Sequence, residues 1–148
     1  MSPPLLQVLR EWMCATMRHS MRGFLLFAQA HNYSVEQLNV IFRIQHKGAC
    51  GVSELADEMG VTRAAASQLL QRLVQQGVVE RSEDPRDRRN RRMALTEAGR
   101  EVAQRSMQAR QNWLYELSER LSAEEQEQVA EALQVLVERA AELDAAPK

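Results

Sequence analysis

Apolar residues at Leu5, Leu9, Trp12, Cys14/Met17, Thr16 (through its methyl), Met21, Phe24 and Phe27 recur with helical spacing and mark one long stripe. Ser2-Pro3-Pro4 supplies a cap and a helix-compatible start, and His31-Asn32-Tyr33 is the turn that ends the run. Ser34, with Gln37 three residues on, forms a capping-box pair that opens a second helix. Leu38, Ile41 and Phe42 face inward from it, and Lys47-Gly48 closes it. A short helix over 52–59 follows, with Leu55, Ala56 and Met59 on one face. Its N-cap is either Gly51, with Glu54 reaching back, or Ser53. Gly60 suits a left-handed C-cap, Val61 is expected to bury the turn, and Thr62 caps a fourth helix that ends near Gln76-Gly77.

Past position 77 the period changes. Val78, Val79 and Arg81 read as a short strand, 83–90 is a polar loop, and Met93 and Leu95 alternate with Arg92 and Ala94 as in a half-buried strand. Two short strands joined by a basic loop make a β-ribbon, or wing. Thr96 then caps a long helix with the stripe Val102, Ser106, Ala109, Trp113, Leu117 and Leu121. Ser122 and Glu125 form a second capping box, opening a last helix. There, Val129, Leu133, Leu136, Ala140 and Leu143 step by 4, 3, 4 and 3, a heptad seam. The expected fold is mostly α with a small β-wing: a winged helix-turn-helix over 34–100, flanked by an N-terminal helix (1–33) and C-terminal helices (101–148) that serve dimerisation. Leu5 and Leu9 at one end, with Leu133, Leu136 and Ala140 at the other, are the expected contacts. Together the two stripes are more apolar surface than one small reader domain would cover.

At 148 residues the chain is long enough for one domain with a real core. Two cysteines, Cys14 and Cys50, make no disulfide framework, so a reducing cytoplasm is the expected compartment. No signal peptide is evident, and the longest apolar run, 24–28, is far too short to span a membrane. The net charge of −1 speaks against a uniformly basic protein. Its distribution is uneven: six arginines face three carboxylates over 81–92, while the rest holds 13 Lys+Arg against 17 Asp+Glu. A phosphate backbone responds to that local charge, not to the total.

Positions 52–76 have the spacing of a helix-turn-helix, with Ala56 small at the crossing and Leu69, Leu70 and Leu73 anchoring the second helix. The opposite face of that helix presents Thr62, Arg63, Ala64, Ser67, Gln68, Gln71 and Arg72, and no carboxylate occurs between 63 and 76. Short side chains, hydrogen-bonding amides and arginines suit base edges and phosphates, where an anion would be repelled. Ser53, at the start of the preceding helix, joins this set of candidate DNA contacts. A basic ribbon placed directly after such a helix lies beside the groove the helix would occupy, and an arginine at its tip suits the adjacent minor groove.

These residues resemble the MarR (multiple antibiotic resistance regulator) family of bacterial repressors. The resemblance rests on Val52-Ser53-Glu54-Leu55-Ala56, Val61-Thr62, Leu73, Gly77-Val78-Val79-Glu80-Arg81, Asp84-Pro85-Arg86-Asp87-Arg88-Arg89 and Leu95-Thr96-Glu97-Ala98-Gly99. Its most specific feature is the family's Asp-x-Arg-x-x-Arg pattern at Asp84, Arg86 and Arg89. The resemblance implies a homodimer presenting two winged domains to a palindromic site on double-stranded DNA. It further implies that Asp84 braces the wing, that Arg86 reaches the minor groove, and that Arg88, Arg89 and Arg91 lie near phosphates. Family members commonly bind small amphipathic or aromatic ligands in a cleft beside the dimer helices. Trp12, Met13, Met17 and Met21 suit such a cleft, although a dimer core filled with flexible side chains is the more ordinary reading.

Some relatives sense peroxides through an N-terminal cysteine, and Cys14 has Arg18 one turn away, although a buried, inert thiol is the default for both cysteines. His19, His31 and His46 are dispersed, so neither a metal nor another cofactor is expected. No nucleophile elbow, phosphate-binding glycine loop or metal pair is present, which speaks against an enzyme. The competing class is a winged-helix interaction scaffold whose arginine loop docks an acidic partner.

Overall fold

A computed structural model describes residues 3–83 and 91–145. In chain order the elements are α1 (Pro3–Ala30), α2 (Val35–Lys47), β1 (Cys50–Gly51), α3 (Val52–Met59), α4 (Arg63–Gln75), β2 (Val79–Glu83), β3 (Arg91–Leu95), α5 (Glu97–Ser118) and α6 (Ala123–Ala145). This is the mostly helical, winged arrangement that the hydrophobic periods predict. The chain divides into two compact units, residues 1–111 and 112–148.

Local chemistry sets most of the boundaries. The Ser34 hydroxyl accepts from the Gln37 N–H, and the Gln37 side chain returns the bond to the Ser34 N–H at 2.8 Å. Asn32 at φ 57 makes the left-handed step between α1 and α2. Gly51 is the N-cap of α3, and its N–H reaches the Glu54 carboxylate. That choice places Ser53 inside the first turn, exposed. Gly60 stands at φ 65, and its turn is closed by the Val61 N–H donating to the Ala56 carbonyl at 3.1 Å. The Val61 side chain, expected to bury the turn, is instead 40% exposed. The left-handed step spends the valine's amide on the turn and aims its side chain outward. In the second unit, Ser122 and Glu125 form the expected capping box.

The sheet has three antiparallel strands in the order β1-β3-β2. The hairpin register runs from Val79 opposite Leu95 to Glu83 opposite Arg91. The third strand, which the sequence does not announce, pairs Cys50 with Met93 and Gly51 with Arg92. Val79, Met93 and Leu95 point into the core of the first unit with Phe24, Leu38, Ile41, Ile44, Leu55, Leu70 and Leu73.

In α5 the buried residues are Gly99, Ala103 and Ser106, with Val102 and Ala109 only partly covered. The inward stripe is made of small residues because backbones approach closely on both sides. A Cβ at Gly23 of α1 would overlap the Ala109 carbonyl, and one at Gly99 would overlap the Val78 carbonyl. Arg110 lays its guanidinium over the rings of Phe24 and Phe42, 4.1 and 5.3 Å from their centroids. Burial there pulls its pKa below the ordinary arginine value.

Candidate nucleic-acid interface

The helix-turn-helix is α3 and α4. Ala56, Ala66, Leu70 and Leu73 are buried and fix α4 by one face. The Thr62 hydroxyl caps α4 by accepting from the Ala65 N–H at 3.2 Å. That anchoring leaves Arg63, Ala64, Ser67, Gln68, Gln71 and Arg72 exposed along the other face. Gln68, Gln71, Arg72 and Gln75 together border a shallow surface groove. Gln75 was not among the expected residues, although its spacing from Gln71 and Arg72 places it on the same face.

α3 is tied to α2 by Glu58, whose carboxylate takes Arg43 at 3.1 Å and also pairs with Lys47. Glu54 and Glu58 of α3 are thus paired with Lys47 of α2. Arg81 stands exposed on β2. Arg91 begins β3, its side chain lying outside the described residues, as do Asp84, Arg86, Arg88 and Arg89 altogether.

The base of the wing is locked to both its neighbours. The Thr96 hydroxyl donates to the Gly77 carbonyl at 2.6 Å and accepts from the Gly99 N–H at 3.1 Å. The Thr96 N–H donates to the Val78 carbonyl. One threonine thus caps α5 and pins the turn between α4 and β2.

Within residues 34–90 the sequence matches the profile of the MarR family. That stretch, from the cap of α2 through the helix-turn-helix and into the wing, is what the chain shares with the MarR family. Its winged helix-turn-helix is the fold of that family, whose members are transcription factors, not enzymes. The chain is 27% identical over 139 residues to the transcriptional repressor MprA of Escherichia coli (strain K12), covering 92% of this chain and 79% of MprA. It is 34% identical over 88 residues to the HTH-type transcriptional regulator YwhA of Bacillus subtilis (strain 168), covering 60% of this chain and 61% of YwhA's length. The fold matches the crystal structure of the transcriptional regulator Tm0710 of Thermotoga maritima with a TM-score of 0.82 at 22% identity, over 97% of this chain and 99% of that one.

The other expected residues fall as follows. Leu5, Met13, Met17 and Met21 are exposed along α1 by half or more, and Trp12 by 37%, while Leu9 is half-buried. Of these, Met21 borders an open, largely apolar pocket on α1 with Arg18, Leu25 and Leu26. On α6, Leu133 is half-buried, and Leu136 and Ala140 are exposed. Cys50 is buried, and burial with the neighbouring Glu54 pushes its thiol pKa up. Cys14, against the default expectation for a helix thiol, is exposed.

A cavity of about 640 Å³ lies between α2 and α5, lined by Phe42, Gln45, Arg100, Gln104 and Met107 among others. Sequence patterning does not reveal it, because its walls come from two helices far apart in the chain. Among the described residues no three His, Cys, Asp or Glu side chains gather as a metal site, and no helix is long and apolar enough to cross a membrane.

Proposed function

We propose that this chain is a homodimeric repressor that reads a pseudo-palindromic operator. In this reading α4 enters the major groove and presents Arg63, Ser67, Gln68, Gln71 and Arg72 to base edges and phosphates, with Ser53, Thr62 and Ala64 at its margin. The wing arginines Arg86, Arg88, Arg89 and Arg91 follow the adjacent backbone and minor groove, with Asp84 bracing the loop. The observation that carries the reading is the exposed, carboxylate-free face of α4, held rigidly by three buried side chains on its opposite side. MprA, which the chain resembles, is a transcriptional repressor, and this supports the sign of regulation.

The terminal helices, 1–33 and 101–148, supply the dimer. Large apolar side chains stay exposed along most of α1, and Val129, Val135, Leu136 and Val137 stay exposed on α6. Covering each such side chain contributes about 1–2 kcal/mol, so a second copy has ample driving force. Two-fold symmetry then sets the two α4 helices about 34 Å apart, one turn of duplex. A small amphipathic ligand lowers affinity by changing that spacing. The α2–α5 cavity, with its aromatic wall at Phe42 and its cation at Arg100, suits such a ligand better than the open methionine face of α1.

Selection of bound duplex from a random pool, followed by footprinting of the selected sequence, tests the proposal. A protected palindrome with half-sites one turn apart is expected. Binding that is uniform across sequences, or that vanishes for duplex while an acidic protein is retained, replaces the operator reading with the interaction scaffold.

A further inference from the structure

Gln37 is a buried polar side chain, 7% exposed, and its amide is divided between two helices. Its Oε1 accepts from the Ser34 N–H at 2.8 Å and starts α2. Its Nε2 donates to Oε1 of Gln76, 39 residues away, at 3.2 Å. Gln76 is the C-cap of α4, and the turn that follows is tightly specified. The Gln76 N–H donates to the Arg72 carbonyl at 2.9 Å, Gly77 stands at φ 74, and the Val78 N–H donates to the Leu73 carbonyl. On its far side the same turn receives the Thr96 hydroxyl. The end of α4 is therefore held between α2, through Gln37, and α5, through Thr96.

A capping box needs only an acceptor at this position, and glutamate supplies one as well as glutamine does. The donor half of the Gln37 amide has no part in starting α2. We propose that Gln37 is a positioning residue for α4: it fixes the C-terminal end of the helix, and with it the direction in which that helix projects toward a groove. The inference rests on the reading of α4 as the DNA-contacting helix.

The test uses full-length variants and the duplex that the wild-type chain selects from a random pool, with discrimination measured as the ratio of Kd for scrambled to selected duplex. Q37E alone is indecisive, because Gln76 can turn its own amide to meet a carboxylate. Q37E/Q76E sets two carboxylates against each other. Relative to wild type at each pH, its discrimination falls about tenfold at about pH 8 and recovers to about twofold at about pH 5, where one carboxyl holds a proton and donates to the other. Q76E alone, which keeps the Gln37 donor on a better acceptor, discriminates as wild type does. A loss that does not change with pH, or no loss, overturns the proposal.

Should the double variant fail to fold, Q76A at an exposed position removes only the acceptor. A loss of about threefold with α2 helicity unchanged supports the clamp, and wild-type discrimination overturns it. If the wild-type chain selects no sequence, the DNA reading itself fails. Backbone amide exchange at Gln76, Gly77 and Val78 then decides the clamp alone, faster exchange in Q76A supporting it and unchanged exchange removing it.

Discussion

Replacing Gly99 by alanine puts a methyl group where two pieces of backbone already touch. The added Cβ would overlap the Val78 carbonyl oxygen, and would stand 3.0 Å from its carbon and 3.3 Å from the Leu95 Cβ. Neither neighbour is the loose end of a side chain. Clearing the overlap with that oxygen requires the first turn of α5 to lift by roughly 1 Å. That movement strains the Thr96 N–H bond to Val78 and the 2.6 Å bond from the Thr96 hydroxyl to Gly77. Overpacking costs about 1–3 kcal/mol and each weakened bond about 1 kcal/mol. The better helix propensity of alanine returns at most about 1 kcal/mol. The net loss is about 2–4 kcal/mol, or roughly 5–15 °C in melting temperature for a chain of this size. Far-UV circular dichroism measures it, at one fixed protein concentration, because the proposed dimer would make the midpoint concentration-dependent. Gly51→Ala is the matched control: nothing lies within 4 Å of its Cβ, and its φ of −78 is ordinary for alanine. A Gly99→Ala melt within about 2 °C of wild type would refute the close approach of α5 to the wing base.

Further outcomes follow from other parts of the molecule. Thr62→Ala removes the α4 cap and costs about 1 kcal/mol in denaturant unfolding, whereas Thr62→Ser is nearly neutral; equal stability of the two means the cap contributes nothing. Met17→Glu places a charge on the open face of α1 and shifts the chain to monomer at micromolar concentration by sedimentation, and a wild-type monomer would sink the assignment of the terminal helices. Gln68→Ala costs about 1–3 kcal/mol at one operator position and leaves the others unchanged, as read by competition with single-base variants of the selected duplex. A Cys14→Ser chain leaves Cys50 alone, and Cys50 resists a thiol reagent at about pH 8 until the protein is denatured. Because burial raises the Cys50 pKa, the folded state holds this proton more tightly than the unfolded one. Its contribution to stability is intact below the ordinary value of 9.0 and falls as pH rises above it. Labelling of native Cys14→Ser at the denatured rate contradicts that burial.

Features written in neighbouring residues were legible in the sequence. Ser34 with Gln37, Ser122 with Glu125, and the lone caps Thr62 and Thr96 are short-range hydrogen-bond chemistry, and each forms the expected bond. What depended on distant neighbours was hidden. Cys50 and Gly51 are a strand only because Met93 and Arg92 lie alongside, and two residues carry no alternation of their own. The burial of α5 falls on Gly99, Ala103 and Ser106 because close backbone contact selects small side chains, which barely register in a hydrophobic pattern. The exposed face of α4 was legible from composition, since the anchoring leucines fix which way the helix turns. The second partner of Gln37 was not, for the sequence shows only the cap.

The strand pairing of Cys50 and Gly51 with the middle of β3 bears on how the proposed reader would meet a duplex. The residues that launch α3 and the residues that carry the ribbon belong to one sheet, so the helix pair and the root of the wing form a single gauge with a fixed gap. On the proposed reading, a duplex meets one body whose two described edges keep their spacing. Exchanging side chains on the exposed face of α4 would then change what is read without changing that gauge.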